Sequence, residues 1–126
     1  MRVLIIEDDA IIGTDLEIAS SDMGFSDIAF AMDEAEAIAM GKIAPPDLII
    51  SDIRLGSSGS GVRAVNEILR AAGAAVVFVT GLMDADEMDQ SGGVVALGKP
   101  WNATRLQMAI SQTVKQPAGV TVAWWR

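Results

Sequence analysis

Val3-Leu4-Ile5-Ile6-Glu7-Asp8-Asp9 is a run of four apolar residues that ends abruptly in three acids. A strand apolar at every position is covered on both faces, which is the pattern of a parallel sheet rather than of a sheet with one wet side. The pattern returns along the chain. Leu48-Ile49-Ile50 ends at Ser51-Asp52, Val76-Val77-Phe78-Val79 ends at Thr80, and Val94 to Leu97 ends at Gly98-Lys99-Pro100. Ser26 to Ala31 reads as a weaker strand.

Stretches of helical period separate these runs. Ile12, Leu16, Ala19 and Met23 recur at helical spacing, and Gly24 closes the segment. Asp33 is placed to cap a helix carrying Ala35, Ile38 and Ala39, which stops before Pro45-Pro46. Gly56 to Gly61 reads as a Gly/Ser loop. Val62, Val65, Ile68, Leu69 and Ala72 mark a further helix, ended by Gly73. Residues 82 to 91 are acidic and weakly helical, and Gly92-Gly93 breaks them. Asn102 is placed to cap a last helix with Leu106, Ile110 and Val114. Five βα units in a row predict an α/β fold, a parallel sheet with helices on both faces. Right-handed crossovers leave only a few topologies.

Composition narrows the function. The 126 residues suffice for one domain with a buried core, expected over residues 1–116 with no second domain after it. There is no cysteine, hence no disulfide framework, and no histidine, hence no Ser-His-Asp triad and few routes to a zinc site. The net charge of −8 speaks against nucleic acid and against an anionic membrane surface as partners. No apolar run approaches the roughly 18 residues that would span a bilayer. The apolar start is too short for a signal peptide, and the expected location is the cytoplasm. The tail, 117–126, is apolar and β-prone: Pro117 and Gly119 precede Val120-Thr121-Val122-Ala123-Trp124-Trp125. It reads either as packing on its own domain or as a contact segment for a homodimer or another partner.

The strand ends carry the chemistry. Glu7 and Asp8 follow the first strand, Asp52 ends the third, Thr80 the fourth, and Lys99 follows the fifth. In a parallel sheet these ends share one edge, the edge where open α/β sheets bind ligands. Singly, each residue has an ordinary explanation. An acid after a strand often caps the next helix, Asp52 suits a turn, Thr80 is a strand end, and Lys99 is a solvated charge. Together they put three carboxylates, a hydroxyl and an ammonium group in one place. Clustered carboxylates repel unless a cation joins them, and Mg²⁺ suits carboxylates plus phosphate. An Asp carboxylate is a competent nucleophile toward phosphorus. Phosphoryl transfer then needs mainly positioning and neutralisation of the equatorial oxygens, which Mg²⁺, Lys99 and Thr80 would share.

Ile5-Ile6-Glu7-Asp8-Asp9, Leu48 to Asp52, Val77-Phe78-Val79-Thr80-Gly81 and Gly98-Lys99-Pro100 together resemble the response-regulator receiver family of two-component signalling. The resemblance covers residues 2 to 115. It implies a flavodoxin-like, doubly wound, five-stranded parallel sheet in the order 2-1-3-4-5. It implies Asp52 as phospho-acceptor, with Asp8 binding Mg²⁺ directly, Glu7 through water, and the Arg54 backbone carbonyl completing the protein ligands. It implies a histidine kinase or phosphotransfer protein as donor. Asp9 falls one place beyond the family's acidic pair and is not assigned to the metal. Ala96 stands where many members carry an aromatic residue, and the stretch from Thr80 to Lys99 is short and broken by glycine. Those departures, with Gly81 and the loop Ile53 to Gly59, resemble receivers of the alphaproteobacterial general stress response and related single-domain regulators.

Two other readings compete with a phosphorylated signalling module. One is a receiver-like protein-binding module that acts without phosphorylation; the complete set Glu7, Asp8, Asp52, Thr80 and Lys99 argues against it. The other is a small enzyme on a similar fold. No glycine-rich phosphate loop follows the first strand, and Arg54 stands where an aspartate phosphatase would want a second Asp.

Overall fold

The computed structural model describes residues 1–80, 95–98, 102–114 and 123–125. In chain order these form β1 (Arg2–Ile6), α1 (Ala10–Asp22), β2 (Asp27–Ala31), α2 (Glu34–Ile43) and β3 (Leu48–Asp52). There follow a small hairpin of β4 (Arg54–Leu55) and β5 (Gly59–Ser60), then α3 (Gly61–Ala71), β6 (Ala75–Thr80), β7 (Val95–Gly98), α4 (Ala103–Val114) and β8 (Ala123–Trp125). The weakly helical stretch 82–91 lies outside the described residues.

The main sheet runs β2-β1-β3-β6-β7-β8, and every pairing in it is parallel. Its first five strands have the expected 2-1-3-4-5 order. The sheet is one strand wider than expected, because β8 adds to the outer edge of β7 with Val95 opposite Ala123, Ala96 opposite Trp124 and Leu97 opposite Trp125.

The unbroken apolar runs are explained by a core on each face. Strand residues alternate between the faces by the period of two. Leu4, Ile6, Ile49, Val76 and Phe78 point to one side, where they pack with Ala37 of α2 and Ala64, Val65 and Ile68 of α3. Val3, Ile5, Leu48, Ile50, Val77 and Val79 point to the other, against Leu16 and Ala19 of α1 and Leu106, Ala109 and Ile110 of α4. Fully burying one such side chain stabilises the fold by about 1.5–3 kcal/mol. That gain fixes the register, since a one-residue slip would exchange the two faces.

Helix starts are set by short polar side chains that satisfy otherwise orphaned amides. Asp9 accepts from the Ile11 and Ile12 amides at 2.9 and 3.3 Å, Asp33 from Glu36 at 2.7 Å, and Asn102 from Arg105 at 2.9 Å. Ser60 does the same for α3, accepting from the Arg63 amide at 3.2 Å. Among the described residues no helix is long and apolar enough to cross a membrane.

Candidate functional site

The chain leaves β1 toward β2 on one side, and leaves β3 toward β6 on the other, so the crevice above the carboxyl ends of β1 and β3 is a topological switch point. Ile6 and Ser51 are register partners on these adjacent strands. The residues that follow them, Glu7 and Asp52, therefore emerge side by side. One carboxylate oxygen each from Glu7, Asp8 and Asp52 lies within 4.8 Å of the others. Glu7 and Asp52 are buried and Asp8 is exposed, so the cluster is closed below and open toward solvent.

Each acid is held differently. The Glu7 amide donates to the Ala31 carbonyl at 3.0 Å, which carries the β1–β2 ladder one residue past the strand. Its Oε1 accepts the Asp9 amide at 3.2 Å. Asp8 Oδ2 accepts the Gly56 amide at 2.9 Å, from the hairpin that follows β3. Asp52 Oδ1 accepts the Ile53 amide at 2.8 Å, and its carbonyl accepts the buried Ser51 hydroxyl at 2.7 Å. Asp9 is taken up by the α1 cap and is absent from the cluster.

Arg54 sits two residues past Asp52 in β4, opposite Ser60, with its side chain exposed. Thr80 ends β6 opposite Gly98, one residue beyond the Val79 that pairs with Asp52, so its backbone reaches the same sheet edge. Lys99, which follows Gly98 in the sequence, lies outside the described residues.

Three carboxylates this close, two of them buried, repel one another, and a cation among them would offset that repulsion. The donor set is all oxygen, which fits a hard divalent cation and not a soft one. The acidic cluster can therefore hold such a metal while leaving its exposed side for a further oxygen-rich ligand.

Several supporting residues escaped the sequence reading. Gly61, the first residue of α3, packs so closely on β3 that a Cβ there would collide with the Asp52 carbonyl oxygen and crowd the Ser51 hydroxyl. The only signal was a glycine closing a Gly/Ser loop, which resembles any loop glycine. Glu34 and Arg63, 29 positions apart in sequence, form a bidentate pair across α2 and α3. An acid in the first turn of a helix is ordinarily read as complementing the helix dipole.

A model of the response regulator receiver domain family matches residues 3–111, and the chain belongs to that family. Its relatives include the phyllosphere-induced regulator PhyR of Methylorubrum extorquens, 31% identical over 117 residues that make up 90% of this chain and 43% of the relative. The crystal structure of the anti-anti-sigma factor PhyR from Bartonella quintana is 29% identical with a TM-score of 0.76, over 90% of this chain and 47% of that one. A response regulator receiver protein from Sinorhizobium medicae is 27% identical with a TM-score of 0.82, over 91% of this chain and 94% of that one. The PhyR matches agree with the resemblance to receivers of the general-stress-response type. The chain spans about half the length of those PhyR proteins.

Proposed function

We propose that the chain accepts a phosphoryl group on Asp52 in a Mg²⁺-dependent reaction and signals by altered protein–protein interaction. The observation that carries this reading is the convergence of the Glu7, Asp8 and Asp52 carboxylates within 4.8 Å at the switch point, with Asp52 buried at the strand end.

Glu7, Asp8, Asp52 and the Arg54 carbonyl would hold the ion. Bound there, Mg²⁺ supplies positive charge against the carboxylates and against a phosphoryl oxygen. Asp52 is the nucleophile: one Oδ forms a bond to phosphorus as the donor's bond to phosphorus breaks, and the electron pair of that bond leaves with the donor group. The Ile53 amide on Oδ1 restrains the carboxylate's rotation. Thr80 and Lys99 supply a donor and a charge for the remaining phosphoryl oxygens.

The donor is a histidine kinase or a phosphotransfer protein, and the protein acts as a signalling module rather than as a metabolic enzyme. The name anti-anti-sigma factor belongs to a PhyR chain about twice as long. The receiver's share of such a role is a protein target whose binding depends on phosphorylation.

Acetyl phosphate tests the reading directly. Incubation with Mg²⁺ should add one phosphoryl group, about 80 Da, to the wild-type chain, with the adduct on Asp52. Asp52→Asn should show no adduct, because an amide is a poor nucleophile. An equal adduct on Asp52→Asn overturns the assignment, and an unlabelled wild type leaves the phosphorylation-independent binding module as the better reading.

A further inference from the structure

The hairpin β4–β5 is a two-residue ladder, too short to hold itself in place, since an isolated hairpin is marginal in water. Yet it supplies the Gly56 amide that orients Asp8, and it carries the Arg54 carbonyl. Gly56 has a φ of +68°, the left-handed turn that lets its amide face Asp8. Something outside the hairpin must fix it.

That fixture comes from α2. Glu34 Oε1 accepts the Ser60 amide of β5 at 2.8 Å and Arg63 Nη2 at 2.9 Å, and Oε2 accepts Arg63 Nε at 3.2 Å. Arg63 Nη2 also donates to the Ser58 carbonyl at the hairpin tip, at 2.8 Å. The pair thus grips the returning half of the hairpin at two backbone points, Ser58 and Ser60. Asp33, which caps α2, anchors Glu34 in the helix's first turn. The planar guanidinium fork matches the carboxylate in two parallel bonds, a geometry that a lysine cannot supply.

We infer that Glu34 and Arg63 are positioning residues for the metal site: together they set the β4–β5 hairpin, and through it the Gly56 amide on Asp8 and the Arg54 carbonyl. Neither residue belongs to the acidic cluster, and they act through the backbone between Ser58 and Gly56. The inference rests on the proposed Mg²⁺ site and adds residues in its supporting shell. Outer partners of metal ligands commonly contribute at this level, about 10–100-fold in affinity.

The test measures the Mg²⁺ dissociation constant by titration calorimetry on the full chain, beside the melting temperature without metal. Variants are Glu34→Gln, Arg63→Met and the milder Arg63→Lys, with Arg70→Met as the control. Arg70 lies on the same helix, paired with Glu67, away from the hairpin. Glu34→Gln and Arg63→Met should weaken Mg²⁺ binding roughly tenfold, at the lower end for outer partners of a ligand. Arg63→Lys should fall between them and wild type, and Arg70→Met should bind as wild type does. If the latch variants lose melting temperature but keep the wild-type dissociation constant, the pair is merely structural and the inference is overturned. Arg63→Lys keeps the test open should Arg63→Met fail to fold. Asp8→Ala separates the two levels. A wild type that binds no better than Asp8→Ala sinks the metal site itself, whereas a wild type that binds, an Asp8→Ala that does not, and unaffected latch variants sink only the positioning role.

Discussion

Asp52 owes its position to what stands behind it. Its carbonyl accepts the Ser51 hydroxyl, both lie close against Gly61, and Gly61 in turn donates its amide to the Ile53 carbonyl at 2.7 Å. Backbone and a buried hydroxyl cannot move aside as the end of a flexible side chain can. Gly61→Ala should therefore destabilise the fold by about 1–3 kcal/mol, the usual range for overpacking. It should also slow labelling by acetyl phosphate, because the shift needed to admit a methyl group falls on Asp52. Thermal unfolding and the labelling rate check this together; wild-type values for both would show that α3 slides away freely. Residue identity made the acids readable in the sequence, since carboxylates at three strand ends are hard to explain otherwise. It could not reveal Gly61, whose role is a distance of closest approach and depends on how α3 packs.

At the scale of elements, the helices whose starts carry Asp33 and Asn102 were legible because a short polar side chain before an apolar period has one cheap use, capping. The acids after β1 were legible in part: the family resemblance kept Asp9 out of the metal set, but an acid after a strand left the cap open between Asp8 and Asp9, and the structure gives it to Asp9. The hairpin was not. Two-residue strands have no period to detect, and a Gly/Ser-rich segment gives the same signal whether it wanders or pairs. Its clamp has a pH signature. Hydrogen bonds from Arg63, then from the Ser60 amide, hold the Glu34 carboxyl below its ordinary value, against a smaller upward push from burial. A carboxyl depressed in the folded state stabilises above its unfolded pKa, and that contribution is lost as pH falls through the folded pKa. Glu34→Gln should thus be less stable than wild type at neutral pH by up to about 1 kcal/mol, a figure kept low because the pair is partly exposed and screened. The gap should begin to shrink below roughly pH 4.3, where an ordinary glutamate protonates, and close as Glu34 itself does. Melting curves of both proteins across that range decide it; a gap that stays constant to low pH would mean the charge of Glu34 contributes nothing.

The whole molecule is a sheet with two ends, and the ends are treated differently. At one, β2 is the terminal strand, paired with β1 and in contact with α1 and α2. At the other, β7 would be the last strand of a five-stranded sheet, but β8 lies along it in parallel register. Sequence alone left the tail open between packing in cis and docking in trans. An apolar, β-prone stretch satisfies either, and only a sheet edge at the right distance distinguishes them. An uncovered strand presents a row of unpaired amides and carbonyls to any other chain. β7 is apolar at Val95, Ala96 and Leu97, which makes it a poor strand to leave bare. Deleting residues 117–126 removes the three register pairs of β8. At roughly one hydrogen bond per pair and about 0.5–1.5 kcal/mol net for each bond lost, the truncated chain should be less stable by roughly 1.5–4.5 kcal/mol. It should also self-associate as its concentration rises, because the freed edge of β7 then pairs with another copy. The two effects separate in experiment: thermal unfolding of a dilute sample reads the lost ladder, and sedimentation velocity across a concentration series reads the exposed edge. If instead the tail serves as a contact segment between copies, truncation should lower association while the melting temperature stays where it was. A truncated chain that melts as the full chain does and sediments as it does would show that β8 contributes neither stability nor cover. The edge of β7 would then be protected by some other means.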